Sequence, residues 1–481
     1  MYNSPEKAGY GDNDPVAAFA TAPGNSALTL IRCSGKNSIK LFSSVFTSKK
    51  INEAAGNSII HGWIINNDQK IDEVLVSVFR APKSYTGEDS LDICCHGGLS
   101  AGKAVLNTLK NAGFRDALPG EFTFRAFMNG KLDLTRCESV MELVSAKTET
   151  GRRHAVSRLS GFLEKEINEI KNLLVQVLAG AEIYLDYSED EISAEFDAGA
   201  SDEIAGRLPE KETAFKVLAR LKKLSASWQL ERIYQEGFRL VIAGRPNAGK
   251  SSLFNALLKE DRSIITDTPG TTRDWIEAFT SIEGIPILLV DTAGLRESDD
   301  NIEKIGVERS YKLIQEAEIV LYLIDGTQGL TEDDKIFMEG TLRNSGVCHL
   351  LIWNKCDAAL PPKPFPLNDI NPVCISAKTG EGLTELYSAI IHAVKNTLLD
   401  SNQELCDNIS AAALGTERQK KLVDSACFAL EEALALAERE EPLDLIAPLL
   451  REAVNSLGEI TGEVSTADIL EEMFSRFCVG K

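Results

Sequence analysis

The central third of the chain alternates between short apolar runs and longer segments whose apolar residues recur at helical spacing. The runs are apolar along their whole length, as parallel strands are when helices cover both faces of their sheet. They are FRLVIAG (238–244), IPILLVD (285–291), IVLYLID (319–325), HLLIWNK (349–355) and PVCISAK (372–378). The helical segments between them are 252–258, 302–314, 333–343 and 382–394. This pattern predicts a doubly wound α/β domain, with the alternating residues 275–282 as an added edge strand.

The segments on either side of this domain have different patterns. Long helical patterns with few breakers occupy residues 132–235 and about 405–476. They suggest one helical domain, residues 132–235 and 397–481, interrupted by the α/β domain at 236–396. Residues 1–131 mix strands with helices, which predicts an α+β domain. Strand patterns lie at 27–34, 72–81 and 90–97, and helical patterns at 38–46 and 99–113. The sequence therefore predicts a multidomain α/β protein with polar linkers near 200–212 and 396–410.

Composition and charge narrow the class of protein. With 43% hydrophobic and 26% charged residues the chain is typical of globular proteins. Its 51 Lys and Arg against 72 Asp and Glu give a net charge of −21, which disfavours nonspecific nucleic-acid binding but still permits a local basic patch for a folded RNA. The longest apolar stretches, such as Ile285–Val290, are far shorter than the ~20 residues of a membrane span. Ten irregularly spaced cysteines fit reduced thiols. We therefore expect a soluble, cytoplasmic protein without a membrane partner.

A phosphate-binding loop follows the first strand of the α/β domain. Residues 244–251, GRPNAGKS, match G-x-x-x-x-G-K-[ST] between a predicted strand and a predicted helix. The backbone N–H groups of such a loop point at the nucleotide phosphates. Lys250 would reach the β- and γ-phosphates, and the Ser251 hydroxyl would bind Mg²⁺. A chance glycine-rich turn is the alternative, and the strand and helix in register argue against it. The predicted nucleotide contacts of the loop are Asn247, Ala248, Gly249, Lys250, Ser251 and Ser252.

Three further motifs follow in the order typical of GTPases. Asp291-Thr292-Ala293-Gly294 ends a buried strand, where a carboxylate can hold Mg²⁺ through water and a glycine N–H can sense the γ-phosphate. Asn354-Lys355-Cys356-Asp357 ends another strand, where a carboxylate can accept from the two N–H groups on one edge of guanine. Ser376-Ala377-Lys378 would close over the base. These motifs predict that the domain is a Ras-like GTPase domain that binds GTP rather than ATP.

The catalytic apparatus departs from that of Ras. Leu295 follows the Asp291–Gly294 motif, where Ras-like proteins have a glutamine that orients water. Glu303 is a candidate for that role, although its spacing alone favours a solvated helix face. No residue is an obvious arginine finger, since Arg273 lies too close to Thr272, the expected second Mg²⁺ ligand. A cation could replace the arginine, and the Asn247 side chain is a neutral oxygen ligand suited to K⁺.

Several segments together resemble the tRNA modification GTPase family MnmE, also called TrmE. They are GRPNAGKSS (244–252), TDTPGTTRD (266–274), DTAGLRES (291–298), IEKIGVERS (302–310) and the carboxy-terminal FCVGK (477–481). In the amino-terminal domain, LIR (30–32), TGEDSLDICCHGG (86–98) and PGEFTFRAFMNGKLDL (119–134) are similar to family segments. The resemblance covers nearly the whole chain.

The resemblance implies a reaction and a set of partners. The family works with the FAD-dependent flavoprotein MnmG (GidA), in a heterotetramer, to place an aminomethyl-type group such as carboxymethylaminomethyl on C5 of the wobble uridine of certain tRNAs. It implies a homodimer formed through the amino-terminal domain, with GTPase domains that meet in a K⁺-dependent way. It also implies a folate one-carbon carrier, 5-formyltetrahydrofolate or a related tetrahydrofolate, bound by that domain. FAD belongs only to the partner.

Site residues carry over from the family position by position. The folate contacts correspond to Arg32, Asp92, Lys131 and Lys481, and Asp92 departs from the glutamate usual in the family. The K⁺ site corresponds to Asn247 with Thr266, Thr268 and Thr271, of which Thr268 is often a larger apolar residue in the family. The resemblance makes Glu303 the favoured water-orienting residue. It also implicates Cys478 in the modification reaction rather than in GTP cleavage.

Some alternatives stay open at this point. The GTPase domain by itself also fits a ribosome-assembly or signalling GTPase that acts as a binding switch, whereas the folate-type segments and the terminal CVGK favour the enzyme. The clusters Arg152-Arg153-His154 and Lys222-Lys223 would either contact tRNA phosphates or form solvated helical faces. The sequence does not decide whether Cys478 is a nucleophile.

Overall fold

The fold is described from a computed structural model of the 481-residue chain. The residues it describes are 10, 14–22, 24–186, 208, 210–259, 276–282, 285–291, 313–338, 347–362, 365, 371–399, 412–464 and 467–480. The chain divides into two compact units. Unit 1 comprises Met1–Met141, Arg158–Leu221 and Lys421–Lys481, and unit 2 comprises Glu142–Ser157 and Lys222–Lys420. The domain boundaries after residues 131, 235 and 396 stay predictions.

Unit 1 contains a six-stranded mixed sheet in the order β3-β4-β5-β2-β1-β6. All neighbours in this sheet are antiparallel except the parallel pair β1 and β6. The strands are β1 (Val16–Phe19), β2 (Leu28–Ser34), β3 (Ser58–Asn66), β4 (Gln69–Phe79), β5 (Ser90–His96) and β6 (Arg115–Asp116). The predictions located β2, β4 and β5. They missed β3, because SIIHGWIIN neither alternates cleanly nor is apolar throughout. They also missed the short strands β1 and β6.

Two helices and a 3₁₀ turn cover one face of this sheet. They are α1 (Ser38–Phe42), the turn Lys49–Asn52 and α2 (Leu99–Asn111). Their apolar side chains, among them Phe42 and Leu109, join strand residues such as Ile93 in one buried core. Helix α1 ends earlier than the predicted segment 38–46. The core thus lies between the sheet and a helical layer, as an α+β domain requires.

The long helical patterns form helices as predicted. They are α4 (Leu134–Ser145), α5 (Glu149–Leu159), α6 (Phe162–Asp186), α7 (Lys211–Glu236), α11 (Glu417–Glu438), α12 (Leu443–Thr461) and α13 (Ala467–Ser475). Helix α3 (Glu121–Met128), in the amino-terminal part, was not predicted. Within unit 1, α6 packs against α12, and the Arg451 guanidinium lies 2.5 Å from the Glu182 carboxylate across that contact. The two helical blocks that flank the GTPase motifs therefore associate. None of the helices in the described ranges is both long and apolar enough to span a membrane.

Unit 2 contains a second six-stranded sheet, in the order β12-β11-β10-β7-β9-β8. Its strands are parallel except for the antiparallel edge strand β8. They are β7 (Phe238–Gly244), β8 (Ile276–Ile282), β9 (Ile285–Asp291), β10 (Ile319–Asp325), β11 (Cys348–Asn354) and β12 (Val373–Cys374). Apolar side chains are buried on both faces, for example Leu240 and Leu321 on one and Val241 and Val320 on the other. This is the predicted doubly wound sheet with its added edge strand.

The helices of this unit follow the strands at the predicted places. They are α8 (Lys250–Lys259), α9 (Glu332–Phe337) and α10 (Leu383–Leu399). Strand β12 is shorter than the predicted run 372–378, because the backbone N–H groups of Ser376 and Ala377 bond to Glu381 O and Asn354 Oδ1 instead of to a neighbouring strand. Most of the predicted helix 302–314 lies outside the described residues.

Candidate functional site

The phosphate loop joins the end of β7 to the start of α8. Asn247 within it has a left-handed backbone, with φ of 63°, and an exposed side chain. Lys250 Nζ lies over the loop and donates to the carbonyl oxygens of Gly244 and Arg245 at 3.0 and 2.9 Å. The ammonium group is therefore held at the mouth of the loop, where phosphate oxygens can accept the same hydrogens.

The loop serine meets a buried carboxylate at the end of β9, the strand beside β7. Ser251 Oγ donates to Asp291 Oδ2 at 3.0 Å, and Asp291 is only 2% exposed. Hydroxyl and carboxylate oxygens are the ligands that Mg²⁺ prefers, directly or through water. The residues present therefore fit the predicted Mg²⁺ site. The other expected ligand, Thr272, lies outside the described residues, as do Thr292, Ala293 and Gly294.

A buried asparagine ties the phosphate loop to the loop expected to close over the base. Asn354, 2% exposed, donates from Nδ2 to Ala248 O at 2.8 Å, and its Oδ1 accepts from the Ala377 N–H at 3.0 Å. A Cβ atom at Gly249 would lie 2.2 Å from Asn354 Nδ2, and Gly249 has φ of 98°. Only glycine fits at that position. The predicted Gly249, Asn354 and Ala377 thus form one connected structure.

Lys355 and Asp357 extend the same edge of the sheet. Lys355 Nζ lies 2.6 Å from Asp325 Oδ2, at the carboxyl end of the neighbouring strand β10. Burial alone would raise the pKa of Asp325, but the hydrogen bonds from Lys355 and Thr327 outweigh it and hold the pKa below its ordinary value. Asp357 and Lys378 are exposed, whereas Ser376 is fully buried and its Oγ accepts from the Thr379 N–H. The exposed Asp357 carboxylate can accept from guanine N–H groups.

Sequence reasoning missed two contacts of this site. Asp325 holds Lys355, and Arg245 of the phosphate loop donates to Thr331 Oγ1 at 3.1 Å. Thr331 is the N-cap of α9, in a capping box with Asp334. A usable signal existed for Asp325, because a carboxylate ends a strand that is otherwise wholly buried. The Arg245 contact joins residues 86 positions apart and has no local signal.

A second group of polar residues lies on the sheet of unit 1. Arg32 on β2 and Asp92 on β5 are directly paired in register, and their side chains form two hydrogen bonds, of 2.9 and 3.1 Å. The guanidinium also lies 5.7 Å from the ring centre of Tyr85. Burial raises the pKa of Tyr85, whose hydroxyl bonds to Thr123 Oγ1. Lys131 Nζ donates to Pro82 O at 3.0 Å. The shorter carboxylate of Asp92 therefore still engages Arg32 with both oxygens.

The carboxy-terminal segment joins the same unit. Cys478 is exposed, and its carbonyl oxygen accepts from the Gly120 N–H at 3.3 Å. Gly480, with φ of 97°, approaches strand β1 so closely that a Cβ atom there would lie 2.1 Å from Phe19 O. Phe19 pairs with Ile31, the residue before Arg32. The fold thus brings the Cys478 segment to β1, the neighbour of the strand that carries Arg32.

The remaining predicted site residues lie outside the described residues. They are Thr266, Thr268, Thr271, Glu303 and Lys481. Of the two basic clusters, His154 Nδ1 lies 2.7 Å from the buried Glu231, and Arg152 pairs with Glu149. Arg152 and His154, two members of the clusters considered for tRNA, therefore already have intramolecular partners.

The site contains a phosphate loop on a doubly wound sheet, with a buried carboxylate that accepts from the loop serine. An Asn-Lys-x-Asp loop is hydrogen-bonded to the phosphate loop through Asn354. These features define a P-loop guanine-nucleotide-binding protein. Family models agree with this class: the MnmE helical domain matches residues 134–478 and the GTP-binding protein TrmE N-terminus matches residues 15–131. The chain belongs to the MnmE family of tRNA modification GTPases. It is thus a GTP hydrolase of tRNA modification.

Similar proteins of this family match the chain over nearly their whole length. The chain is 42% identical to the tRNA modification GTPase MnmE of Treponema denticola, over 98% of this chain and 99% of that protein. It is 39% identical to that of Borreliella afzelii, over 98% of each. Among solved structures, Aquifex aeolicus Era bound to GDP and AlF₄⁻ is 28% identical, with a TM-score of 0.27 over 32% of this chain and 56% of that chain. A TM-score this low adds nothing to the family assignment.

Proposed function

We propose that this GTPase acts in the cytoplasm with the FAD-dependent flavoprotein MnmG (GidA) to build an aminomethyl-type group, such as carboxymethylaminomethyl, on C5 of the wobble uridine of tRNA. A tetrahydrofolate such as 5-formyltetrahydrofolate supplies the carbon, and GTP hydrolysis drives the cycle. The protein works as a homodimer within a heterotetramer with that partner. The domain roles follow: residues 1–131 bind folate and dimerise, 236–396 hydrolyse GTP, and 132–235 with 397–481 form the helical domain.

The observation that carries this proposal is the position of Cys478 in unit 1. A GTPase that acts only as a switch needs no exposed thiol in the unit that holds a paired arginine and carboxylate. Here the backbone of Cys478 bonds to Gly120, and Gly480 lies against β1, the neighbour of the strand β2 that carries Arg32. Asp92 lies on β5, on the other side of β2. The same unit therefore holds a thiol, a cation and an acid, whereas the GTP-binding residues belong to unit 2.

In the nucleotide site, the residues would bind GTP and Mg²⁺ and orient the attacking water. The backbone from Asn247 to Gly249 would cradle the phosphates, Lys250 would neutralise the β- and γ-phosphates, and Asp357 would select guanine. Ser251 and Thr272 would hold Mg²⁺, which would supply positive charge against the negative charge of the phosphates. Glu303 would orient the attacking water, since Leu295 has no polar group for it.

The K⁺ ion would take the place of an arginine finger. Its ligands would be the Asn247 side chain with oxygens of Thr266, Thr268 and Thr271. The exposed Asn247 amide is consistent with a cation ligand, because its oxygen is open to solvent beside the phosphate loop. A bound cation would offset the negative charge that spreads over the transferred phosphoryl group.

The Arg32–Asp92 pair suits the edge of a pterin ring. Arg32 offers N–H donors and Asp92 offers acceptor oxygens, each of which keeps a lone pair after accepting from Arg32. The Tyr85 ring beside Arg32 adds a flat apolar surface. Lys131 and Lys481 would supply positive charge for the carboxylates of the folate tail.

Nucleoside analysis of tRNA tests the proposal. Cells that lack this gene should contain wobble uridines without the C5 group, and a plasmid-borne copy should restore it. A Lys250→Ala copy, which cannot hold the phosphates, should fail to restore it. A normal wobble-uridine profile in the deletion strain would remove the proposed function and leave a binding switch.

Exchange of the monovalent cation tests the GTPase part separately. GTP turnover should be fast in K⁺, similar in Rb⁺, which is close in size, and slower by about tenfold or more in Na⁺, since a neutralising group at the transferred phosphoryl is worth large factors in rate. An Asn247→Ala variant should lose the preference. Equal turnover in Na⁺ and K⁺ would contradict the cation site.

A further inference from the structure

The positive charge of this acidic protein is unevenly distributed. Residues 1–131 contain 14 Lys and Arg against 12 Asp and Glu, whereas the rest of the chain contains 37 against 60. The amino-terminal 131 residues are therefore slightly basic within a chain of net charge −21. The net charge of the rest of the chain therefore repels a polyanion, whereas the net charge of residues 1–131 weakly attracts it.

The basic residues of this part gather on one layer of unit 1. Helix α1, the 3₁₀ turn Lys49–Asn52 and helix α2 all bury their apolar sides against the same face of the sheet. Their outward sides therefore form one surface. The two helices are neighbours, because a Cβ atom at Gly113, just after α2, would lie 3.6 Å from Leu41 Cδ2 of α1.

The outward side of this layer is lysine-rich. We call it the lysine face and define it by the exposed residues Lys36, Lys40, Lys49, Lys50 and Lys103. Acidic residues in segments 36–53 and 99–116 are Glu53 and Asp116, and Asp116 is already paired with Lys110 at 2.6 Å. Within the described part of the chain, Lys36, Lys40, Lys50 and Lys103 take part in no ion pair.

These observations assign a ligand class to the lysine face. Flexible, hydrated ammonium groups without ion-pair partners, as at Lys36, Lys40, Lys50 and Lys103, are typical of surfaces that neutralise phosphates along a nucleic-acid backbone. Lys49 Nζ donates to Ser43 O at 2.8 Å. Such a face has no comparable role in GTP binding, whose residues lie in unit 2. Resting on the proposed function, we infer that the lysine face binds the phosphate backbone of the tRNA substrate and positions it without reading its sequence.

A charge-neutralised variant tests this inference. Full-length protein with Lys36→Gln, Lys40→Gln, Lys50→Gln and Lys103→Gln is compared with wild type for binding of total tRNA at several salt concentrations. We expect affinity at low salt to fall at least about tenfold, and the slope of log K against log[salt] to become shallower by about 2–4, because each lost phosphate contact removes roughly 0.7–0.9 from the slope. GTP turnover without tRNA should stay at the wild-type rate.

Two control variants separate charge from structure and from location. The four lysines changed to arginine keep the charge and should bind tRNA as wild type does. Lys216→Gln with Lys223→Gln removes exposed lysines from α7, and should leave affinity and salt slope unchanged. Lys223 belongs to one of the clusters first considered for tRNA, so a loss in this control and not in the quadruple variant would overturn the lysine face.

Further outcomes would overturn either the role of the lysine face or the proposed function. Wild-type affinity and slope in the quadruple variant, or wild-type protein that shows no salt-sensitive tRNA binding, would overturn the inference. In cells, the quadruple variant should modify wobble uridine less at limiting expression. If it modifies tRNA normally while the deletion strain lacks the modification, only the lysine face is wrong. If the deletion strain itself has normal tRNA, the proposed function fails instead.

Discussion

The nucleotide site of unit 2 and the Cys478 segment of unit 1 are built in different ways. In the nucleotide site, the groups lie where parallel strands end, at one edge of the sheet, and the buried amide of Asn354 links the loop after β7 with the loop after β12. In unit 1, the Arg32–Asp92 pair lies within a sheet, and the Cys478 segment joins this unit because residues near the carboxy terminus contact Gly120 and Phe19. The nucleotide site depends on loops at one edge of a sheet, whereas the Cys478 segment depends on the packing of the carboxy terminus against the amino-terminal part of the chain.

This difference predicts that the two sites fail separately. Glu303→Ala should lower GTP turnover by ~10²–10⁴ with nearly unchanged nucleotide affinity, since a water-orienting carboxylate acts chiefly in the transition state. Cys478→Ser should keep GTP turnover close to wild type while wobble-uridine modification fails. Both activities are measured on both variants.

A neighbour of the cysteine provides the matched control for that experiment. Val479 is 53% exposed, and Val479→Ala should retain both activities if the thiol rather than the shape of the segment matters. Loss of GTP turnover in Cys478→Ser would show that the two sites depend on each other more closely than their construction suggests. Retention of both activities would leave Cys478 without a chemical role.

The next largest effect should be on base selection. Asp357→Asn should weaken GTP binding by about 10²-fold and improve XTP binding, because the amide presents a donor where two guanine N–H groups need an acceptor, and each unmet hydrogen bond costs about 1–3 kcal/mol. Competition binding with both nucleotides measures this. Unchanged GTP affinity would mean that the 354–357 loop does not read the base.

The buried amide of Asn354 should matter for structure as well as for binding. Asn354→Ala leaves Ala248 O and the Ala377 N–H without partners, which should cost about 2–4 kcal/mol of local stability. Amide hydrogen exchange at Ala377 and GTP affinity report this loss. Asn354→Asp keeps the acceptor for Ala377 and should recover part of the exchange protection. Equal protection in wild type and Asn354→Ala would show that the brace is incidental.

The Arg32–Asp92 pair should contribute least to stability. Its side chains are 24% and 18% exposed, so water screens the charges, and a double-mutant cycle of the two alanine variants should give a coupling of about 1 kcal/mol or less. Hydrogen exchange of β2 and β5 measures it. Folate binding should fall in either variant, which separates a binding role from a stabilising one. A large coupling without loss of folate binding would reverse that assignment.

The difference between the two sites also explains which of their residues the sequence could predict. Contiguous motifs located Lys250, Asp291, Asn354 and Ser376, and the continuous apolar runs located strands β7, β9 and β10 with their observed bounds. These predictions succeeded because their determinants are local in the chain. No period or spacing rule predicts the contact of Cys478 with Gly120, so the sequence missed it. The family resemblance pointed only to a role of Cys478 in the modification reaction. Strand β3 was missed because its mixed pattern fits neither a half-buried nor a fully buried strand.

The hydrogen bond from Gly120 to Cys478 also has a consequence for synthesis. The ribosome adds Cys478 more than three hundred residues after Gly120. At roughly 5–20 residues per second, about 20–70 s pass before the two can meet. The loops of the nucleotide site are all synthesised earlier, since Lys378 precedes Cys478 by a hundred residues. A nascent or prematurely terminated chain can therefore acquire its GTP-binding residues while it still lacks the thiol.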